Sequence, residues 1–174
     1  LPLEEILRIG AKMAAGLAAA HNQGLIHRDI KPANMLLSAS GDRVKITDFG
    51  LARAVDDTKI SREGIIAGTP EYMAPEQASG SAVDHRADLF SLGSVLYAMC
   101  TGQPPFRGDH TIAVLRAVRD EEPAPITKLN SRVPKWLAQI VARLRPKKPE
   151  ARFQSAAEVA ELLEQHAAQL HSPK

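Results

Sequence analysis

Asp29, Lys31, Asn34 and Asp48 are the residues whose types and spacing could do chemistry together. The first three fall within His27-Arg28-Asp29-Ile30-Lys31-Pro32-Ala33-Asn34, and the fourth opens Asp48-Phe49-Gly50. A positioned carboxylate can take up a proton. An ammonium offsets anionic charge, and the oxygens of Asn and Asp suit a hard cation such as Mg2+. Each residue also has a plainer reading. Asp and Asn are favoured in turns and caps, and a lysine is commonly solvated. A third motif follows later, Gly68-Thr69-Pro70-Glu71-Tyr72-Met73-Ala74-Pro75-Glu76.

The elements that must position these residues are mostly helical. Leu3, Ile6, Leu7, Ile9, Met13 and Leu17 recur at helical spacing, and with Pro2 at the start and Gly24 at the stop they predict a helix over 3–23. A loop then runs from Leu25 to Asn34. The runs Met35–Leu37 and Val44–Thr47 flank Ser40-Gly41-Asp42 and predict a β-hairpin. Residues 48–75 have no sustained period and read as one long loop, a kind of connection that is usually functional. The stretch 86–101 is apolar on nearly all sides, which predicts a buried helix. Further helices are predicted over 109–120, 134–144 and 155–170, the last opened by the capping box Ser155-Ala156-Ala157-Glu158. No internal repeat or low-complexity segment is visible.

Composition sets the outer limits. With 174 residues and 44% apolar content the chain can bury one sizeable core. With a net charge of only +2, the pI of 8.8 is weak evidence for a nucleic-acid partner. Cys100 is the single cysteine, so no internal disulfide can form. No apolar run approaches the roughly 18 residues of a membrane span. The chain starts at Leu1 rather than Met, and the expectation is that a segment upstream has been removed.

The three motifs, in this order over essentially the whole chain, resemble those of the eukaryotic-type protein kinases. Tyr72-Met73-Ala74-Pro75-Glu76-Gln77-Ala78 and Phe153-Gln154-Ser155-Ala156 look most like the bacterial members. The resemblance implies a mostly α fold, the large C-terminal lobe of the kinase domain, helical with one small β-hairpin. Residues 1–174 would be that lobe only, with a catalytic loop at 27–34 and an activation segment at 48–76. The glycine-rich loop, strand lysine and helix glutamate of the small lobe find no match, so the small lobe is expected to be absent.

The same resemblance implies the site. Asp29 would orient and deprotonate the acceptor hydroxyl, and Lys31 would lie beside the transferred phosphoryl. Asn34 and Asp48 would hold Mg2+, and Leu36 would touch the nucleotide of ATP. Lys31 at its place resembles serine/threonine rather than tyrosine kinases, and Thr69 would bond toward Asp29 and Lys31. Asp88 would hold the backbone of the His27-Arg28 loop. His27 would stack on Phe49 and act as neither acid, base nor ligand. Leu36, Val95 and Met99 would form an apolar column within the core beneath the adenine, and Glu76 would pair with Arg152. Arg28 would receive an anion from the loop. At positions where bacterial relatives carry two loop threonines stand Ser61 and Glu63, which makes Ser61 the expected phosphosite, Glu63 a permanent weaker anion and Thr58 the second acceptor.

Two departures from the family pattern stand out. Ala98 replaces a glutamate that reads basic substrates, so no arginine-rich preference is implied. Lys148 stands where an Asp is usual, with an effect expected on a turn alone. Arg143, Arg145, Lys147 and Lys148 read as a solvated basic face. The function implied is transfer of the γ-phosphoryl group of ATP to serine or threonine hydroxyls of proteins by a signalling kinase. ATP and Mg2+ are the cofactors, a protein substrate and the missing small lobe the partners, and no nucleic acid or membrane contact is expected of this segment. The expected location is cytoplasmic, with any tether carried elsewhere in the parent. The alternative is a catalytically silent kinase-like interaction module; intact Asp29, Lys31, Asn34 and Asp48 argue against it.

Overall fold

A computed structural model of the chain describes residues 1–38, 43–49 and 70–171. Helix α1 spans Leu3–Asn22 and buries Ile6, Leu7, Ile9, Met13 and Leu17 along one face. Strands β1, Met35–Leu37, and β2, Val44–Ile46, pair antiparallel with Met35 opposite Ile46 and Leu37 opposite Val44. Five longer and shorter helices lead to the end of the chain: α2 Pro75–Ala78, α3 Arg86–Thr101, α4 Thr111–Asp120, α5 Ile126–Leu129 and α6 Lys135–Leu144, before α7 at Ala156–His171. The longer helices and the hairpin fall within a residue or two of where periodicity put them.

Short elements were missed. The stretch expected as one loop over 48–75 closes with a 3-10 turn, Pro70–Tyr72, and with the start of α2. The one-turn helix α5 was not foreseen either. One turn is too brief to show a 3.6-residue period. Its signal is a proline whose φ is already helical and whose missing N–H is not needed there.

Helix α3 is the axle of the domain. Ala87 through Tyr97 are all buried, as the all-round apolar pattern predicts. Helices α1 and α6 pack on it, and α7 packs along α1. A Cβ at Gly10 would lie 2.8 Å from Leu96 and 3.2 Å from Leu163, so glycine lets α1, α3 and α7 meet closely. On the other side of α3, Phe90 stacks on Phe106 at 6.3 Å and joins Ala74, Val114 and Val118 in a second apolar cluster. The start of α7 carries one of the two bonds of the expected capping box. Glu158 N–H donates to Ser155 Oγ at 3.2 Å. The Glu158 carboxylate lies 3.5 Å from Arg143.

Two expectations need correction. Leu36 is not in the core: it is 55% exposed, while Val95 is buried and Met99 packs against the core. Leu36 faces away because Met35 and Ile46 take the inward side of the two-stranded ribbon, and side chains alternate along a strand. The basic cluster is a solvated face only in part. Arg143 and Lys148 are exposed, the Arg143 guanidinium lying over the Phe153 ring at 4.1 Å, whereas Lys147 and Arg145 are drawn inward. Lys147 sits over Phe106 and donates to Val118 O at 2.7 Å. Arg145 is 8% exposed, its guanidinium 4.5 Å from the Tyr97 ring.

Arg145 is an uncomfortable residue. Its Nε donates to Val141 O at 3.3 Å, and its Nη1 is buried without a partner. Burial pushes its pKa down to about 10. Gly93 makes room for its stem, since a Cβ there would lie 2.8 Å from Arg145 Cγ. A buried donor left unmet costs about 1–3 kcal/mol, and the ring contact returns about 0.5–1 kcal/mol. Arg145→Met is therefore expected to leave stability equal or raise it by up to about 2 kcal/mol in denaturant unfolding. A loss would show that the guanidinium is better satisfied than its contacts indicate.

Candidate active site

The chain from α1 to β1 is wound around one buried carboxylate. Asp88, in the first turn of α3, is 1% exposed. Its Oδ2 accepts from His27 N at 2.9 Å and its Oδ1 from Arg28 N at 2.8 Å. The expected clamp on the His27-Arg28 loop is thus present. His21, on the last turn of α1, adds a third contact through Nε2 to Asp88 Oδ2 at 2.8 Å. Facing a carboxylate, that nitrogen must carry the proton. Nothing in the sequence singled His21 out.

His27 is fully buried and its tautomer follows from its partners. Nδ1 accepts from Asp29 N at 3.1 Å, so the proton sits on Nε2, which donates to Thr47 O at 2.7 Å. Both ring nitrogens are spent on backbone, which leaves His27 no part as acid, base or ligand. Its ring meets Phe49 edge-on with centroids 4.5 Å apart, the contact expected from the sequence.

This scaffold presents Asp29. Lys31 Nζ lies 2.9 Å from Asp29 Oδ2. Asn34, 5% exposed, donates through Nδ2 to Asp29 O at 2.7 Å and to Oδ2 at 3.1 Å. The Asp29 side chain keeps 47% of its surface open, so it stays approachable. Asn34 also reaches the hairpin, because its carbonyl accepts from Thr47 N at 2.9 Å. That backbone link places Asp48 one residue from Asn34's partner. Both Asp48, at φ 65°, and Arg28, at φ 67°, occupy the left-handed region. Aspartate tolerates it well; for arginine it is a strained conformation that the surroundings must impose.

The sequence-predicted residues thus divide cleanly. Asp29, Lys31 and Asn34 touch, Asp48 is tied to them through Thr47, and Arg28 is clamped at its backbone. Leu36 stands apart on the exposed side of β1. Thr69, Ser61, Glu63 and Thr58 lie outside the described residues. Among the described residues no cluster of three or more His, Cys, Asp or Glu could hold a metal alone. Asn34 turns its amide nitrogen to Asp29, leaving Oδ1 as the acceptor, and Asp48 is an exposed carboxylate. That oxygen-only pair suits Mg2+, which keeps water and phosphate oxygens in its shell and needs few protein ligands.

The end of the third motif is fixed as firmly. Arg152 donates through Nη1 to Glu76 Oε1 at 2.7 Å and through Nη2 to Oε2 at 2.8 Å, so the expected pair is bidentate and buried. Beside it, Gln77 Nε2 donates to Arg28 O at 2.7 Å. That bond was not read from the sequence; its only trace was a polar side chain following Pro75-Glu76.

Comparison with known proteins gives the family. A family model described as protein kinase domain matches residues 1–166. The chain is 40% identical over 171 residues to the serine/threonine-protein kinase PknB of Mycobacterium leprae, covering 97% of this chain and 27% of the relative. It is 41% identical over 159 residues to a probable serine/threonine-protein kinase of Clostridium perfringens, covering 91% and 23%. The serine/threonine-protein kinase pkn3 of Myxococcus xanthus is 39% identical over 166 residues, covering 89% and 30%. The chain thus spans about a quarter of the length of these curated relatives. Among the described residues no helix is long and apolar enough to cross a membrane. With its helical body and matching motifs, the chain belongs to the protein kinase domain family, in the bacterial serine/threonine branch of its eukaryotic-type members.

Proposed function

We propose that this chain is the large lobe of a protein serine/threonine kinase that transfers the γ-phosphoryl group of ATP to hydroxyls of a protein substrate. The observation that carries this reading is the contact set of Asp29, Lys31 and Asn34: a half-open carboxylate, held by an amide and 2.9 Å from an ammonium. In phosphoryl transfer the hydroxyl oxygen bonds to phosphorus, the bond to the bridging oxygen of ADP breaks, and the hydroxyl proton needs an acceptor. Asp29 takes that proton. Lys31 offsets charge on the transferred group. Asn34 Oδ1 and Asp48 hold Mg2+, and Leu36 lies against the nucleotide. Mg2+–ATP supplies the phosphoryl group and neutralises its charge.

Leu36 and Leu37 are 55% and 50% exposed. Side chains alternate along a strand, so the two point to opposite faces, and Leu36, on the side away from the core, is the one a nucleotide would cover. Thr69 joins Asp29 and Lys31 in placing the hydroxyl. Ser61 is the regulatory phosphosite, with Glu63 as a weaker fixed anion, Thr58 as second acceptor and Arg28 as the receiver. A silent interaction module would have no use for this contact set.

The test is incubation of the full-length natural protein that carries this chain with Mg2+, γ-labelled ATP and a Ser/Thr peptide, followed by mass spectrometry. The expected result is label on peptide hydroxyls and on Ser61, with negligible transfer by residues 1–174 alone. No transfer by the full-length protein would overturn the reading, and robust turnover by the isolated chain would overturn the need for a small lobe.

A further inference from the structure

The peptide unit between Arg28 and Asp29 is held at both polar atoms. Its N–H donates to His27 Nδ1 at 3.1 Å, and its carbonyl accepts from Gln77 Nε2 at 2.7 Å. Arg28 sits at φ 67°, a conformation costing a non-glycine residue about 1–3 kcal/mol unless its neighbours over-determine it. Asp88 holds the N–H of Arg28. Gln77 holds its carbonyl, from a helix 49 residues further along the chain.

Gln77 is itself fixed. Its Oε1 accepts from Ala74 N at 3.2 Å, so the amide bridges a backbone N–H of one segment and a backbone C=O of another. Only one flip of the amide satisfies both. Its neighbour Glu76 is locked to Arg152 by two bonds. A rigid anchor therefore ends in a single donor aimed at the peptide that precedes Asp29. Rotation of that peptide would swing the Asp29 carboxylate, and a displacement of about 1 Å at a reacting group can cost about 10²-fold in rate.

We infer that Gln77 is a positioning residue: its bond to Arg28 O holds the Asp29 carboxylate in place and makes that placement depend on docking of the segment around Ala74–Ala78. The kinetic consequence rests on the kinase reading above; the backbone consequence does not. Segment order and Asp29 orientation become one event through this bond, independently of any anion that reaches the Arg28 side chain.

The experiment compares Gln77→Met, Gln77→Glu and Gln77→Lys in the full-length protein. Met keeps length without a donor, Glu sets oxygen against oxygen, and Lys keeps a donor while losing the bond to Ala74. The first readout is hydrogen exchange at the Asp29 amide, which needs no activity. Exchange is expected to rise at least about tenfold in the Met and Glu variants through local opening, and to stay near the parent rate in Lys. The second is kinetic: kcat is expected to fall about 10–100-fold in Met and Glu while KM for ATP changes less than about threefold, with Lys recovering most of kcat. Unchanged Asp29 exchange in Gln77→Met overturns the inference, as does a Lys variant no better than Met, which would mean a general loss of packing. A parent protein that transfers no phosphoryl would refute the kinase reading alone, and the exchange result would still decide the role of Gln77.

Discussion

Asp29→Asn is expected to lower phosphoryl-transfer turnover by about 10²–10⁴-fold, the usual worth of a positioned base, and to leave nucleotide affinity nearly unchanged. The substitution is close to isosteric. An asparagine oxygen can still accept from Lys31 and Asn34, which now sit 2.9 Å and 3.1 Å from Oδ2. What disappears is the negative charge and the basicity. Asp48→Asn is the informative contrast. Asp48 stands at φ 65°, where an alanine would add backbone strain of its own. Asparagine tolerates that region as well as aspartate does, so the change isolates the lost carboxylate. It is expected to weaken Mg2+-dependent nucleotide binding along with activity. Nucleotide titration of the two variants in the full-length protein, with and without Mg2+, reads the difference. Equal loss of ATP affinity in both would mean that the division of labour between Asp29 and Asp48 is wrong.

How legible this site was depends on the range of the forces that build it. The helices were readable because a buried face repeats along the chain, as with Ile6, Leu7, Met13 and Leu17 on α1. The hairpin was readable from two β-branched or apolar runs around a turn triplet. The motif residues and the Asp88 clamp were readable by resemblance. Arg145, Gln77 and His21 were not. Arg145 looked like one charge in a basic run, yet Gly93 and Tyr97, distant in sequence, give it a buried slot. Gln77 and His21 act through single bonds to residues 49 and 67 positions away. Such bonds have no period and no local composition. Leu36 failed for a related reason: the side of a two-stranded ribbon that faces the core is set by what packs beneath it, here through Met35 and Ile46.

The buried pair at the end of the third motif carries the largest stability effect. The Arg152 side chain is fully buried and spends all five of its N–H groups. Nη1 and Nη2 each give one bond to Glu76; the rest go to the carbonyls of Pro146, Arg86 and Lys147 at 2.9–3.0 Å. Its guanidinium also lies 5.0 Å from the Phe90 ring centroid. The contrast with Arg145 shows what decides whether a buried cation is tolerated: one has a bidentate carboxylate and three carbonyls, the other one carbonyl and an unmet nitrogen. Glu76→Ala leaves Arg152 buried without a counter-charge and is expected to cost about 3–5 kcal/mol in denaturant unfolding. Arg152→Met should cost a comparable amount, because it strands a carboxylate and three carbonyls. The double variant separates charge from hydrogen bonding. Removing both charges should recover part of the loss, since an apolar replacement of a buried pair is often nearly neutral. It cannot recover all of it, because Pro146, Arg86 and Lys147 would still lack their donor. A loss below about 1 kcal/mol for Glu76→Ala, the scale of an exposed ion pair, would sink the argument. So would a double variant whose loss equals the sum of the two singles, because groups in direct contact should not act independently.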